Sequence, residues 1–260
     1  MFQVLQNVKN GDLTLTEVPI PTLQPGMVLV RTAASLISAG TEKMLMELAQ
    51  KSMIGKAQAR PDLVKQVLAK AKKEGYMNTL QNVLSKLEKP MPLGYSASGV
   101  VEASSSQNFV AGDRVAIAGA GYANHADMNS VPSNLVVKIP DNVSFEEAAY
   151  GTVGSIALQG VRIANPQIGD YVVVSGLGLI GLITVQILLA NGCRVIGLDF
   201  DAKKIALAIQ LGMHASINLA TEDPVKKVEI FTKGRLADCT IITAATKSNQ
   251  PIELAGEVTR

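Results

Sequence analysis

The sequence is poor in the residues that build metal clusters and disulfide frameworks. Its 260 residues include two cysteines, two histidines and no tryptophan. Cys193 and Cys239 are too few for a disulfide framework or a cysteine metal cluster, and both fall in predicted core strands, where free buried thiols are common. His125 and His214 alone cannot build a histidine-based metal site or a Ser-His-Asp triad. The sequence therefore predicts no metal site of these kinds.

Long apolar runs are also missing. The most apolar stretch, residues 177–190, is interrupted by Thr184 and Gln186, whereas a membrane-spanning helix needs about 20 apolar residues. The first residues show no basic region followed by an apolar segment, so no signal peptide is predicted. A composition of 47% hydrophobic and 18% charged residues is that of a globular protein with a substantial core. We expect a cytoplasmic protein without membrane contact.

The sequence does contain a strand, a glycine loop and a helix in immediate succession. Residues 171–175 (YVVVS) are a β-branched run typical of a buried strand, and the loop GLGLIG follows at 176–181. An apolar run then continues to Ala190 and is ended by Asn191-Gly192, as helices are. A second strand over residues 193–198 leads to Asp199, 18 residues beyond Gly181. Together these features predict a dinucleotide-binding unit.

Each part of this unit has a chemical reason. Gly176 permits a tight turn, Gly178 lets a pyrophosphate approach the backbone, and Gly181 lets the helix pack close to the sheet. Asp199 accepts hydrogen bonds from the adenosine ribose and repels a 2′-phosphate, which favours NAD, although Lys203 and Lys204 leave NADP open. The predicted cofactor-binding residues here are Gly176, Gly178, Leu179, Ile180, Gly181, Asp199 and Phe200.

Residues 1–150 have a mostly β pattern. Short β-rich runs are separated by Pro-Gly and Gly-Asp turns, which predicts a small barrel or sandwich. The runs lie at residues 14–18, 28–32, 98–102, 114–117 and 135–139. A capping box, Ser144-Phe-Glu-Glu147, predicts a helix start shortly before a domain boundary at about residue 150.

A helical insert is predicted at about residues 42–90 because the apolar spacing changes there. Its two apolar stripes are Leu63, Val64, Val67, Leu68 and Ala71, then Met77, Leu80, Val83, Leu84 and Leu87. Residues 43–90 hold nine Lys, one Arg and four acidic residues, a formal charge of +6. This charge is either the solvated face of amphipathic helices or a contact for an anionic substrate group such as a phosphate. No aromatic platform accompanies it, so nucleic-acid binding is not predicted.

After Asp199 the helix and strand patterns alternate, which predicts a parallel sheet. Helices are predicted over 202–211, 225–231 and 249–260, and strands around 216–218 and 238–243. The sheet would hold about four strands, where the doubly wound dinucleotide fold has six. We therefore expect a fragment, the alternative being that further strands come from another chain.

Several motifs carry a resemblance to one superfamily. They are Pro25-Gly26, the run VLVR at 28–31, AGDRV at 111–115 and IGDYVVV at 168–174. With the glycine loop, the chain resembles the medium-chain dehydrogenase/reductase superfamily, in which a GroES-like β-barrel domain precedes a Rossmann domain. The resemblance implies a GroES-like domain over 1–150 and an incomplete Rossmann domain over 151–260. It also implies that Lys204 joins Asp199 at the ribose, Ser155 lies near the nicotinamide, and Ala244, Ala245 and Thr246 follow the cofactor's far edge.

The chain departs from the zinc alcohol dehydrogenases of this superfamily. Ser38, Tyr95-Ser96 and approximately Gly151 stand where those enzymes carry ligands of the catalytic zinc, and none is a good ligand. We expect a zinc-independent member without a metal. The motif SAGTE at 38–42 with LGYS at 93–96 resembles bi-domain oxidoreductases, whose second half is of the Gfo/Idh/MocA type and which are linked with surface-polysaccharide sugars.

The implied activity is hydride transfer to or from a hydroxyl or carbonyl group, on a sugar, phosphorylated sugar or sugar nucleotide. Without zinc, a hydrogen-bond donor must stabilise charge on the substrate oxygen, and the candidates are Tyr95, Ser38, Thr41 and Glu42. Tyr95 is favoured because a phenol can donate to an alkoxide; the alternatives are a packing role for Tyr95 and a helix-capping role for Glu42. A non-catalytic dinucleotide-binding or scaffold module is the alternative function, and a homo-oligomer stays open.

Overall fold

The computed structural model describes residues 1–52, 55, 58, 61, 64, 65, 67, 69, 72, 75 and 89–260. The chain divides into two compact units, the N-terminal unit Met1–Thr152 and the C-terminal unit Val153–Arg260. Within the described ranges, no helix has the length and apolar character needed to cross a membrane. The predicted roles of the two parts, a substrate domain and a dinucleotide domain, stay predictions.

Two antiparallel sheets build the N-terminal unit. The smaller has the order β2-β1-β4 and the larger β7-β3-β5-β6-β8. The strands are β1 (Phe2–Gln6), β2 (Leu13–Glu17), β3 (Met27–Ser35), β4 (Met91–Pro92), β5 (Ser96–Ser104), β6 (Arg114–Ala118), β7 (Met128–Pro132) and β8 (Val136–Lys138). The five predicted β runs overlap β2, β3, β5, β6 and β8 and are confirmed.

Buried and exposed side chains alternate along the strands of the larger sheet, and the buried ones form its core. In β3, Val28 and Val30 are fully buried while Arg31 faces solvent, because successive side chains of a strand point to opposite faces. The strands β3 and β5 approach closely at Gly99, where a Cβ would lie 2.0 Å from the Arg31 carbonyl oxygen. Only glycine fits this position, which fixes the pairing of the two central strands.

Helices flank the sheets of the N-terminal unit. The helix α1 (Ala39–Gln50) begins three residues before the predicted insert, and the described positions between 55 and 72 are also helical. Apart from Val64 and Val67, the residues of the two predicted apolar stripes lie outside the described residues. The capping box is confirmed at α2 (Phe145–Ala148), where Ser144 and Glu147 exchange side-chain to backbone hydrogen bonds of 3.1 and 2.8 Å.

A parallel sheet forms the C-terminal unit, as predicted. Its strands β9 (Tyr171–Ser175), β10 (Arg194–Asp199), β11 (Ala215–Asn218) and β12 (Cys239–Ile242) lie in the order β11-β10-β9-β12. The connecting helices are α3 (Gly151–Ala164), which spans the boundary between the units, α4 (Leu179–Ala190), α5 (Ala202–Gln210), α6 (Pro224–Thr232) and α7 (Gln250–Val258). The direction in which successive strands are added reverses between β9 and β12, which is where ligands bind in open parallel sheets.

Both faces of the parallel sheet are buried. Val172 and Val174 of β9 pack into one apolar cluster and Val173 into another, and all three are fully buried. Just before β12, Ala237 forms a parallel bridge with Thr259. The neighbouring Asp238 carboxylate accepts a hydrogen bond from the Arg260 guanidinium. A sheet covered on both faces explains the continuous apolar run of β9.

Candidate functional site

The three glycines of the loop after β9 meet different surroundings. Gly176 has a φ of +100°, and a Cβ there would lie 2.7 Å from the Ala244 nitrogen. A Cβ on Gly181 would lie 2.0 Å from the Gly176 carbonyl oxygen. Gly178 has an ordinary φ of −71° and nothing within 4 Å of its Cβ position. The fold itself therefore requires Gly176 and Gly181, whereas Gly178 leaves open space outside the loop.

Unpaired backbone donors lie at the N-terminus of α4. In the described part of the chain, the N–H groups of Gly178, Leu179 and Ile180 donate to no protein acceptor, and Gly178 supplies no side-chain cap. These groups carry the positive end of the helix dipole. They border the space that the missing Gly178 side chain leaves open. The arrangement fits an anionic group such as a diphosphate.

The Asp199 carboxylate is tied to this loop. Its Oδ2 accepts a hydrogen bond of 2.7 Å from the Leu177 nitrogen, and its Oδ1 accepts one of 2.9 Å from the Asp201 nitrogen. The Lys204 Nζ lies 3.8 Å from Oδ1. Because each carboxylate oxygen has two lone-pair sites, acceptor capacity remains for a ligand. The bond to Leu177 was missed by the sequence reasoning, which treated the acid and the loop as separate features.

The loop after β12 contacts the glycine loop. The Thr243 hydroxyl donates to the Gly176 carbonyl oxygen at 2.6 Å, and Ala244 lies against Gly176. Residues 244–246 are exposed, as is Phe200 directly after Asp199 with 66% of its surface accessible. Ser155 lies on an exposed part of α3. Sequence reasoning did not find Thr243, although its position at the end of a strand parallel to β9 was a usable signal.

A polar cluster lies at the start of α1 in the N-terminal unit. The Ser38 nitrogen donates to Glu42 Oε1 at 3.1 Å, and the Ser38 hydroxyl donates to Thr41 Oγ1 at 3.4 Å. Three of the four predicted catalytic residues are thus brought together, and Glu42 accepts a hydrogen bond from the backbone of the residue that precedes α1. Among the described residues, the Tyr95 hydroxyl has no hydrogen-bond partner, and its backbone oxygen accepts from the Gly119 nitrogen at 2.9 Å.

His125 joins this cluster, which the sequence reasoning missed. Its Nε2 lies 3.1 Å from Glu42 Oε1 and its Nδ1 lies 2.8 Å from Ser35 Oγ. The sequence analysis predicted no Ser-His-Asp triad because histidines are few, and it did not anticipate that His125 alone would connect Ser35 and Glu42 by hydrogen bonds. The partners lie 90 and 83 residues away in sequence, so no local pattern reveals them.

The two thiols are unsuited to nucleophilic chemistry. Both cysteines are free. Burial raises the pKa of Cys239 to about 11, and burial also raises the pKa of Cys193. Since the thiolate is the nucleophile, both side chains are unreactive near neutral pH. Cys239 lies in β12 as predicted, whereas β10 begins at Arg194, one residue after Cys193.

Comparison with known proteins shows which families this chain resembles. A family model described as zinc-binding dehydrogenase matches residues 180–255. The L-idonate 5-dehydrogenase of Vitis vinifera is 33% identical over 165 residues, covering 52% of this chain and 45% of that protein. The sorbitol dehydrogenase of Homo sapiens is 32% identical over 176 residues, covering 55% of this chain and 49% of that protein.

A solved structure shows the same fold. The alcohol dehydrogenase TADH from Thermus sp. ATN1 matches 100% of this chain and 75% of its own, with a TM-score of 0.76 and 22% identity. The family model and the relatives support the resemblance of the chain to the medium-chain dehydrogenase/reductase superfamily. The predicted fold class, a GroES-like domain followed by a partial Rossmann domain, is confirmed. The matches span about half the length of the curated superfamily relatives, and the narrower likeness to bi-domain oxidoreductases stays a prediction.

The comparisons contradict one expectation of the sequence analysis, the absence of zinc. A zinc-independent protein without a metal was predicted from Ser38, Tyr95-Ser96 and Gly151, but the matching family model is a zinc-binding one. The prediction relied on ligand positions transferred along the sequence, and the zinc-binding description of the matching family contradicts it.

Whether zinc fits this chain depends on the donor groups that the fold brings together. In the described ranges, no group of three or more His, Cys, Asp and Glu side chains could hold a metal ion. Glu42 and His125 supply two donors side by side, and a zinc centre takes at least three protein ligands. The described residues alone therefore do not supply the ligand set of a zinc centre.

Proposed function

We propose that the chain is an NAD(P)-dependent oxidoreductase that transfers a hydride to or from the carbon of a hydroxyl or carbonyl group. The observation that carries the proposal is the glycine loop, where unpaired N–H groups border the space left open at Gly178. The similarity to medium-chain dehydrogenases supports it. The bound nicotinamide would supply the hydride acceptor or donor, and the protein residues would bind and orient it.

The binding roles follow from the surroundings of each residue. The N–H groups of Leu179 and Ile180 would donate to the diphosphate, with the α4 dipole favouring its negative charge. Asp199 would accept the ribose hydroxyls with its remaining lone pairs, joined by Lys204. The exposed Phe200 ring would pack against the adenine. Ser155 and residues 244–246 would follow the nicotinamide end, as the superfamily resemblance implies.

The same carboxylate supports NAD over NADP. A 2′-phosphate at the ribose would approach Asp199, and the ammonium group of Lys204, 3.8 Å from Oδ1, is half-exposed. Repulsion between the phosphate and the carboxylate is therefore only partly compensated. We expect NADH to bind more tightly than NADPH.

The names of the relatives support a polyhydroxylated substrate. L-idonate and sorbitol dehydrogenases are both among the similar proteins. We propose a sugar or polyol as the substrate class, with a phosphorylated sugar or sugar nucleotide as the narrower prediction. The basic residues predicted to contact a phosphate lie mostly outside the described residues, so that role stays a prediction.

A cofactor titration tests the proposal directly. NADH binding is followed by the cofactor's own fluorescence, since the chain has no tryptophan, with NADPH in parallel. In a Gly178→Ala variant the methyl group meets no protein atom within 4 Å, yet it would occupy the diphosphate's space. We expect its Kd for NADH to rise on the order of tenfold, about 1.4 kcal/mol.

The matched control is Gly256→Ala in α7, another glycine with nothing within 4 Å of its Cβ position. It should bind NADH like the unmodified chain and gain about 0.5–1 kcal/mol of stability. If the folded protein bound neither cofactor, the dinucleotide role would be wrong. If it bound NADH but reduced NAD with no polyol or sugar of a broad panel, a non-catalytic dinucleotide-binding module would be the better description.

A further inference from the structure

The strand β2 (Leu13–Glu17) forms one edge of the smaller sheet in the N-terminal unit. In the described part of the chain its one neighbouring strand is β1, with which it pairs antiparallel and without a bulge. At one end of this ladder the Val18 nitrogen donates to the Met1 oxygen at 2.9 Å. At the other end the Asn7 nitrogen donates to the Asp12 oxygen, also at 2.9 Å. The even-numbered residues of this stretch therefore face β1, because bonded and non-bonded pairs alternate along an antiparallel ladder.

The outward backbone groups of β2 have no strand to pair with. By the same alternation, the N–H and C=O groups of Leu13, Leu15 and Glu17 point away from β1. These groups make no hydrogen bond within the described residues. An exposed strand edge of this kind is a template for the addition of another strand. The strand β2 thus presents a complete set of donors and acceptors for one further strand.

Apolar side chains accompany this open edge. Leu13 and Leu15 are 49% and 69% exposed. Phe2, which lies opposite Glu17 on the same face, is 51% exposed. Soluble proteins usually protect an edge strand with lysine, proline or a bulge, and residues 13–16 (LTLT) contain none of these. The edge therefore combines unpaired backbone groups with an apolar face, which favours pairing with another strand.

The spacing of these residues fits a second copy of the same chain. In an antiparallel pair related by a two-fold axis at Leu15, that residue lies opposite itself, and Leu13 lies opposite Glu17 of the second copy. All outward residues then fall in hydrogen-bonded pairs, and their N–H groups and oxygens satisfy one another across the axis. Thr14 would lie opposite Thr16 of the second copy, a favourable cross-strand pair. The edge is therefore complementary to itself.

The charges at the edge permit this pairing. Glu17 is the only charged residue of β2, and its two copies would lie four residues apart along the strands, about 14 Å. This distance exceeds the screening length of about 8 Å at physiological ionic strength. Asp12 would lie opposite Val18 of the second copy, and its side chain projects from the face opposite to that of Glu17. The pairing therefore places no like charges directly opposite each other.

We propose that β2 is a self-association surface at which two copies of this chain join into one continuous sheet. The joined sheet has the order β4-β1-β2-β2-β1-β4, with the two Leu15 side chains packed against each other at the axis. Phe2 and Leu13 of both copies extend the same apolar face. The surface lies entirely within the N-terminal unit, and the inference does not depend on the proposed function.

Sedimentation equilibrium of the full chain without cofactor tests the proposal, over about 1 to 300 μM so that micromolar affinities are covered. We expect the mass to rise with concentration from 27.4 kDa towards twice that value. Leu15→Lys places two like charges opposite each other at the axis and should raise the Kd of the dimer at least about 100-fold. The matched control is Val110→Lys, in a loop of the same unit where Val110 is 63% exposed. It should leave the Kd within about twofold, as a surface substitution away from the pairing edge.

Cysteine variants test the pairing itself, also if Leu15→Lys fails to fold. Facing Cα atoms of a hydrogen-bonded antiparallel pair are about 5.5 Å apart, within reach of a disulfide, so mild oxidation of Leu15→Cys should give a covalent dimer. Leu13→Cys is the matched control, because its two copies would lie about 14 Å apart. It should stay monomeric on a non-reducing gel. The unmodified chain should also stay monomeric, since burial raises the pKa of Cys193 and Cys239 and keeps both thiols unreactive.

Three outcomes would overturn the proposal. The first is a single species of 27.4 kDa over the whole concentration range. The second is a dimer whose Kd is unchanged by Leu15→Lys, because another surface would then hold the two copies together. The third is equal cross-linking of Leu13→Cys and Leu15→Cys, because the strands would then not pair about an axis at Leu15. None of these experiments uses NADH or a substrate, so failure of the oxidoreductase proposal and failure of this one are seen separately.

Discussion

Two glycines of the glycine loop have different roles, since one is required by the packing of the fold and the other leaves space for a ligand. Gly181 has no space for a side chain, since its Cβ would lie 2.0 Å from a carbonyl oxygen, whereas Gly178 has open space. The sequence motif alone does not distinguish these two positions, because both are glycine. The surroundings show that one glycine is needed for folding and that the other is free to serve binding.

The first prediction compares these two glycines. Gly181→Ala should lower the free energy of unfolding by about 1–3 kcal/mol, because α4 must move away from Gly176 and Thr243. Gly178→Ala should lower it by no more than about 1 kcal/mol, the cost of alanine at a helix N-cap. Urea unfolding of both variants measures the difference. Equal stability of the two variants would contradict this account of the loop.

The second prediction concerns Tyr95, which stays the predicted donor to the substrate oxygen. Since its hydroxyl has no partner among the described residues, Tyr95→Phe should change the free energy of unfolding by less than about 0.5 kcal/mol. We expect kcat to fall at least about tenfold, because a donor to the developing oxyanion would be lost. Steady-state kinetics and urea unfolding check the two parts. Full turnover in the variant would show that Tyr95 is a packing residue.

At the scale of elements, Asp238 connects the starts of two neighbouring parallel strands to the last residue of the chain. Its carboxylate accepts a hydrogen bond of 2.7 Å from the Tyr171 nitrogen and one of 2.8 Å from Arg260 Nε. Burial alone would raise the pKa of Asp238, but the Tyr171 amide and the Arg260 guanidinium outweigh it, so that the pKa lies below its ordinary value of 3.8.

The third prediction follows from this lowered pKa. Asp238→Asn should cost about 2 kcal/mol of stability at pH 7, because hydrogen bonds to a charged group are lost. A carboxyl group whose pKa is lowered on folding stabilises the protein fully above its unfolded pKa, and that contribution disappears as the pH falls through the folded value. The difference from the unmodified chain should therefore shrink below about pH 4.

Urea unfolding at pH 7, 5 and 3 measures this dependence. Asp141→Asn, in an exposed turn of the N-terminal unit, is the matched control and should show no difference at any of these pH values. A constant gap between the Asp238 variant and the unmodified chain down to pH 3 would show that the lost stability does not come from the ionised carboxylate.

The elements also show what could be predicted from the sequence. The strand β9, the glycine loop and α4 were predicted almost to the residue, because each has a local signal in periodicity or glycine spacing. The short strand β7 (MNSVP) has no such pattern and is held by pairing with β3. The bonds of Asp199 to Leu177 and of His125 to Ser35 and Glu42 are distant in sequence. Only the folded topology brings those partners together.

At the scale of the whole molecule, each compact unit has its own apolar core. The clusters around Val28 and Val30 belong to the N-terminal unit, and those around Val172 and Val173 to the C-terminal unit. Both cysteines, Cys193 and Cys239, lie in the C-terminal unit. Chemical labelling of the thiols therefore reports on that unit alone.

The fourth prediction uses this placement. A ligand that binds only the folded form at 100 times its Kd stabilises it by about 2.7 kcal/mol, which is about 100-fold in the population of open molecules. Thiol labelling should therefore slow by up to about 100-fold in saturating NADH, measured with a chromogenic disulfide reagent. The Gly178→Ala variant at the same NADH concentration should be protected less. Unchanged labelling despite cofactor binding would mean that the thiols react without opening of the nucleotide-binding sheet.

The positions of the two histidines allow both units of the chain to be followed by NMR. His125 lies in the N-terminal unit, and His214, whose Nδ1 accepts a hydrogen bond of 3.1 Å from the Val195 nitrogen, lies in the C-terminal unit. A nitrogen-15 NMR spectrum of histidine-labelled protein would contain one imidazole signal set from each unit. Cofactor addition that shifts only the His214 signals would be a local event, whereas a shift of both sets would reveal that the N-terminal unit senses the nucleotide.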